Sequence, residues 1–252
     1  MTTADLIPTR CAICGTEGNS SELYPANFDC EAFNPTVFSA RRLPDRIHYR
    51  MVKCRDCGLI RSDPVVPHEL LAQLYAQSTF TYRDEVADIR RTYGHYLAKL
   101  DRCGARKDAL LEIGCGNGFF LEEALDRGYL SVRGIEPSQT AVDEAGPRLR
   151  GRIVCGLMAP GVFEPGQFDV VCLFQVFDHI PDPGVLVDEC YRVLKPGGLV
   201  LCINHNIEAV SARILKERSP IIDVEHTFLY SPSTMARMFR DYGFKVRYVP
   251  HQ

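Results

Sequence analysis

The sequence predicts an α/β fold: a doubly wound, mostly parallel sheet covered by helices on both faces, with a small cysteine-rich module ahead of it. Three observations predict it. Apolar runs of four to seven residues recur from residue 109 onward. Amphipathic stretches of helical period separate those runs, which is the pattern of a parallel sheet buried on both faces. A glycine-rich turn joins the first run to the first helix, where such folds receive ligands.

The elements follow in chain order. Residues 1–66 hold turn formers and two CxxC pairs, and Pro64 and Pro67 bracket the exit. From His68 to about Cys103, Leu70, Leu71, Leu74, Tyr75, Ile89, Tyr93, Tyr96, Leu97 and Leu100 recur at helical spacing. Tyr75 and Tyr82 are explained equally by a helical lid and by core packing. Ala109–Ile113 is the first strand, and Phe119–Arg127 the first helix behind it. Val132–Glu136 is a second strand and Thr140–Leu149 a helix. Arg152–Cys155 and Phe168–Phe174 are strands three and four. Val185–Leu194 is a helix stopped by Lys195-Pro196-Gly197-Gly198. Leu199–Ile203 is a fifth strand, Thr234–Asp241 a helix closed by Gly243, and Lys245–Val249 a sixth strand. The expected organisation is a metal-binding module over 1–66, a helical linker or lid over 67–104 and the ligand-binding α/β domain over 105–252.

Bulk properties narrow the class. A net charge of −3 exerts no strong pull on nucleic acid or anionic membrane. No stretch approaches the roughly 18 apolar residues of a membrane span, and the N-terminus lacks the basic start and apolar core of a secretory signal. The chain reads as cytoplasmic. Seven of its 11 cysteines are scattered, several within apolar runs, and read as small buried hydrophobes.

The remaining four, Cys11, Cys14, Cys54 and Cys57, form two CxxCG turns. Two thiolates at this spacing reach one tetrahedral ion, and a second turn completes four ligands. The following glycine lets backbone approach the sulfurs. A redox CxxC would sit at a strand-to-helix junction; two matched pairs in turn-rich surroundings favour a structural zinc ion.

The turn after the first strand reads Gly114-Cys115-Gly116-Asn117-Gly118. Its GxGxG spacing puts Phe119 where a dinucleotide fold needs its third glycine, so a pyrophosphate is not the expected ligand and a nicotinamide oxidoreductase is disfavoured. Glu136 ends the next strand, 20 positions after Gly116. A carboxylate there can accept both hydroxyls of a ribose.

LLEIGCGNG, IEPS, FDVVCLFQVFDHIPDP and YRVLKPGGLVLCIN resemble the successive motifs of class I S-adenosylmethionine-dependent methyltransferases, over roughly residues 108–250. That resemblance implies that Glu112, Gly114, Cys115 and Gly116 line the methionine part of S-adenosylmethionine. It likewise puts Glu136 and Pro137 at the ribose, Leu157 over the adenine, and Phe174 and Gln175 beneath the cofactor. The family adds a seventh, antiparallel strand, whereas here the sequence ends right after the sixth.

Methyl transfer needs alignment and a base for the acceptor's proton. His179, past strand four, and His226, with Glu225 beside it to orient the ring, are the candidates; His205 is weaker. His179 reads equally as a loop cap, and His226 also as an ordinary loop histidine. The CxxC module together with the Glu225-His226 pair is similar to bacterial methyltransferases acting on sugars, some of which methylate carbon. Asp223 stands where those place a tyrosine, which favours a hydroxyl of a sugar, nucleotide sugar or glycan precursor. Rival readings are an RNA methyltransferase, drawing on a net +5 between Arg41 and Arg61, and a non-catalytic binding module that keeps the pocket. The overall charge and the absence of tryptophan argue against RNA.

Overall fold

The structure, a computed structural model, describes residues 6–27, 46–76 and 86–247. Their elements run β1 (Ser20–Tyr24), β2 (Met51–Cys54), β3 (Ile60–Ser62), α1 (His68–Ala76), α2 (Val86–Lys99), β4 (Ala109–Ile113), α3 (Phe119–Asp126), β5 (Ser131–Glu136), α4 (Gln139–Asp143), β6 (Ile153–Cys155), β7 (Phe168–Phe174), α5 (Pro183–Val193), β8 (Leu194–Ile203), α6 (Val210–Leu215), β9 (Phe228–Leu229) and α7 (Pro232–Asp241).

Strands β4 to β8 form one five-stranded sheet in the order β6-β5-β4-β7-β8, with every neighbouring pair parallel. The order reverses between β4 and β7, so the loops leaving those two strands open a crevice at their carboxyl ends. Every residue of β7 is buried, as expected of a central strand covered on both faces. On one face α3 places Phe120, Leu121 and Ala124, all fully buried, against Leu110, Val170 and Cys172. Truncating Phe120 to alanine would cost about 3–5 kcal/mol.

Two helices differ from their sequence pattern for local reasons. Residues 140–149 read as one helix but break after Asp143, because Pro147 has no amide to donate and drives Gly146 into extended backbone. α5 starts two residues early, with Pro183 in its first turn and the Asp182 carboxylate accepting the Val185 N–H at 3.3 Å. Residues 245–247, expected to begin a sixth strand, are irregular. The rest of that strand, Tyr82, and Arg41 and Arg42 of the basic stretch lie outside the described residues.

The second sheet, β1-β2-β3-β9, is antiparallel. Its fourth strand comes from beyond β8, so the cysteine-rich segment is completed by chain from the α/β half. Cys11, Cys54 and Leu59 share one buried cluster with Phe177, Phe228, Tyr230, Met238 and Phe239. The Ser62 amide donates to the Thr227 carbonyl at 2.8 Å, and the Ser62 hydroxyl to the His226 carbonyl at 3.2 Å. The Thr227 amide in turn donates to the Asp178 carbonyl at 2.8 Å. The N-terminal sheet thereby presses residues 226–229 onto the loop that leaves β7.

Candidate functional site

The turn after β4 is built by its glycines. Gly114, Gly116 and Gly118 all have positive φ (72°, 53° and 81°), a region that costs other residues about 1–2 kcal/mol. A Cβ on Gly114 would collide with Val176 Cγ2, so the loops leaving β4 and β7 touch there. The amides of Gly114 and Cys115 both donate to the Ile135 carbonyl, holding the turn against the end of β5. The Cys115 side chain is buried and turned toward Gly134, leaving backbone as its contribution to the crevice.

Glu136 closes this turn. Its Oε2 accepts the Gly116 N–H and its Oε1 the Ser138 N–H, both at 2.9 Å. Burial raises its pKa, and the two amide hydrogen bonds partly offset that. Each oxygen keeps a second lone pair for an incoming hydroxyl. Glu112 lies buried beside it, its pKa pushed well up by burial and by the Glu136 charge. Pro137 follows Glu136, and Leu157 stands half exposed after β6, where the Gly156 amide donates to the Glu136 carbonyl at 2.9 Å. Phe174 ends β7 in a stack with Tyr93 of α2, ring centroids 4.0 Å apart, and edge-on to Phe120 at 4.6 Å. Gln175, next in the chain, has φ 53° and donates its amide to Ile203.

Buried polar atoms without hydrogen-bond partners gather at this edge: Glu112 Oε2, Gln175 Oε1, both amide atoms of Asn204, and Asp178 Oδ1. Such atoms are uncommon in folded proteins and call for a partner such as water, an ion or a ligand; others, including those of Arg61, Tyr129 and Arg133, lie elsewhere in the fold.

Beside the crevice stand three histidines around one carboxylate. Asp178 is completely buried. His205 Nδ1 lies 2.6 Å from its Oδ2, His226 Nε2 lies 3.6 Å from the same oxygen, and His179 Nε2 lies 3.7 Å from Oδ1. The His179 and His205 rings each approach the His226 ring at 4.8 Å. Burial alone would raise the Asp178 pKa, but attraction from the three imidazoles outweighs it, and the carboxyl stays well below its ordinary range. His179 is pushed down to about 4, chiefly by burial. His226 Nδ1 is 2.8 Å from the Ile221 carbonyl, which fixes the ring. Sequence reasoning set Glu225 beside His226 to orient it; in the fold Ile221 and Asp178 flank the two ring nitrogens, and Glu225 is buried next in the chain. Asp178, which carries no motif of its own, and His205 both lie just past the ends of neighbouring parallel strands, which brings them together.

Cys11, Cys14, Cys54 and Cys57 converge, their four sulfurs within 4.8 Å of one another and the Cys11 and Cys57 sulfurs 3.4 Å apart. Burial would raise the Cys54 thiol, yet amides of Cys57 and Asp56 lower it to about 7. The arrangement is compatible with a tetrahedral metal site.

Residues 86–249 match a family model described as a methyltransferase domain. The ubiquinone biosynthesis O-methyltransferase of Pseudomonas paraeruginosa is 31% identical over 162 residues, covering 58% of this chain and 68% of that protein. The protein of the same name from Neisseria meningitidis is 29% identical over 160 residues, covering 58% and 66%. Among solved structures, a SAM-dependent methyltransferase from Thermotoga maritima, described as a possible histamine N-methyltransferase, superimposes with a TM-score of 0.50 at 23% identity, covering 66% of this chain and 76% of that one. A SAM-dependent methyltransferase from Archaeoglobus fulgidus gives 0.51 at 17%, covering 71% and 75%. At these identities the two structures speak for the fold.

Proposed function

The chain belongs to the methyltransferase-domain family, an S-adenosylmethionine-dependent enzyme family, and from that premise we propose that it methylates a hydroxyl group of a small molecule, a sugar or sugar-linked precursor. The observation that carries the reading is the set of buried, unpartnered polar atoms at the carboxyl ends of β4, β7 and β8, beside a loop already tied to Glu136.

When bound, S-adenosylmethionine supplies an electrophilic methyl group on a sulfonium. The residues here fit it. The free lone pairs of Glu136 suit two ribose hydroxyls, and Glu112 Oε2, buried without a partner, suits the amino group of the methionine part. Gly114 and Gly116 give close backbone, with Cys115 contributing through its main chain. Pro137 and Leu157 flank the nucleoside, and Phe174 and Gln175 floor the pocket.

The acceptor's proton is taken by the histidine cluster. His226 is the proposed base, His179 its ring neighbour at 4.8 Å, and Glu225 precedes His226 in a turn whose amides donate to Asp223. Asp178, held ionised, stabilises the imidazolium that results, as a buried aspartate does beside a catalytic histidine. Oxygen as the methylated atom is supported by the names of the O-methyltransferase relatives. The sugar class is supported by the four-cysteine module together with the Glu225-His226 pair. A phenolic quinone precursor is the second reading, favoured by those same relatives. RNA is disfavoured because Arg61 is buried and Arg50 is paired with Asp63 at 3.0 Å, which removes two charges from the basic stretch.

We also infer a structural zinc ion at Cys11, Cys14, Cys54 and Cys57, supported by the convergence of their four sulfurs. A cytoplasmic setting follows from the need to keep those thiols reduced. Labelled S-adenosylmethionine incubated with nucleotide sugars, phenolic quinone precursors and RNA tests the acceptor class. Label in a nucleotide sugar is expected; label only in the phenols moves the assignment to the second reading, and label only in RNA defeats both.

A further inference from the structure

We propose that Asp178, His179 and His226 form a binding site for a divalent transition-metal ion of the zinc class, separate from the four cysteines. The three side chains each offer one ligand atom, all within 4.8 Å of one another. The tautomer of His226 is decisive. Its Nδ1 faces the Ile221 carbonyl at 2.8 Å, so that nitrogen carries the proton. In the neutral ring, Nε2 then presents a lone pair, and what it faces at 3.6 Å is an oxygen of a completely buried carboxylate. Lone pair against lone pair is repulsive, and either a second proton on the ring or a metal ion between the two groups relieves it.

The spacing discriminates between the two available cations. A shared proton calls for about 2.7–3.2 Å, and the 3.6 Å and 3.7 Å separations of His226 and His179 from Asp178 exceed that. Two ligands each about 2.1 Å from a tetrahedral ion lie roughly 3.4 Å apart, close to the 3.7 Å from His179 Nε2 to Oδ1; the 3.6 Å of His226 Nε2 runs to the other carboxylate oxygen, Oδ2, and the three ligand atoms as a set lie within 4.8 Å of one another. Asp178 Oδ1 is buried without a hydrogen bond, as an oxygen reserved for an ion would be. His205, at 2.6 Å from Oδ2, is the outer partner that orients the carboxylate. The His179 ring hydrogen-bonds the Glu225 backbone, which serves the same purpose. Two imidazoles and one carboxylate are a donor set suited to zinc, with a coordination position left open.

Binding stands apart from the methyl-transfer reading; its consequence rests on that reading. An ion on His226 Nε2 occupies the lone pair that would take the acceptor's proton, so metal and turnover exclude each other.

The test uses the full chain, dialysed against Zn²⁺ and assayed for bound metal per chain. The unsubstituted protein is expected to hold one ion more than His179→Ala or His226→Gln, while the ion at the cysteines reports that both variants remain folded. His205→Ala should keep the additional ion with affinity lowered about 10–100-fold. Equal metal content in the unsubstituted protein and both variants overturns the site. If the additional ion binds and turnover is suppressed at least tenfold, reversibly by chelator, both site and base are supported. If it binds and turnover is unchanged, the metal site stands and the base role of His226 falls.

Discussion

Replacing Glu136 by alanine isolates the contact on which cofactor binding depends. In the free protein the carboxylate accepts two backbone amides at 2.9 Å, from Gly116 and Ser138. Gly116 is partly exposed, so water can take over part of what its amide loses, whereas Ser138 is buried. The loss in the complex is larger, because a hydroxyl donating to a carboxylate contributes about 1.5–3 kcal/mol. Each such bond is worth roughly 10- to 150-fold in affinity, and alanine forfeits both, so binding weakens by at least about tenfold, at 1.4 kcal/mol per tenfold. Isothermal titration with S-adenosylhomocysteine reads this directly. Glu136→Gln keeps the shape and one acceptor, and should fall between the wild type and alanine. Acidity gives an independent check. Hydroxyls donate to the ionised form, and burial raises the Glu136 pKa. Affinity is therefore present above that raised pKa and lost as pH falls through it, and Glu136→Gln should abolish this acid limb. Affinity within twofold of wild type in Glu136→Ala, with no change in the acid limb, would refute the assignment.

Three further outcomes follow from the geometry. His226→Ala is expected to lower kcat by about 10²–10⁴ while leaving cofactor affinity intact, and steady-state kinetics on the true acceptor with unaltered turnover would remove it as the base. Glu112 is held in the fold with a raised pKa, so it binds protons more tightly folded than unfolded. Stability therefore falls as pH rises through that pKa; Glu112→Gln should raise the melting temperature at neutral pH, flatten this dependence and weaken cofactor binding. Cys54→Ser should release the zinc inferred above and, because β3 pairs with β9, disturb residues 226–229 as well. Metal analysis with hydrogen exchange at Thr227 and Phe228 checks this, and unchanged protection there would contradict the coupling.

Much of this fold is legible in the sequence because local signals agree. Ala109–Ile113 and Phe168–Phe174 are apolar runs bounded by turn formers, and both strands occupy those residues. The GxGxG turn and the acidic end of the next strand are both visible in the sequence, and a 2.9 Å hydrogen bond from Gly116 to Glu136 joins them in the fold. What stayed hidden depends on distant pairing. Phe228–Leu229 is a strand only because Ile60 and Arg61 lie opposite, and two residues carry no periodicity. Asp178 read as one residue in a loop, since its partner His205 is 27 positions away and the two meet only when β7 and β8 lie side by side. The orienting carbonyl of Ile221 has no side-chain signature at all.

A crystal structure with S-adenosylhomocysteine bound tests the central claim most directly. The ribose hydroxyls should lie within hydrogen-bond distance of the Glu136 carboxylate, with the amino-acid moiety against Gly114 and Gly116 and within reach of Glu112. A nucleoside bound elsewhere on the molecule, with Glu136 still bonded only to Gly116 and Ser138, would contradict it.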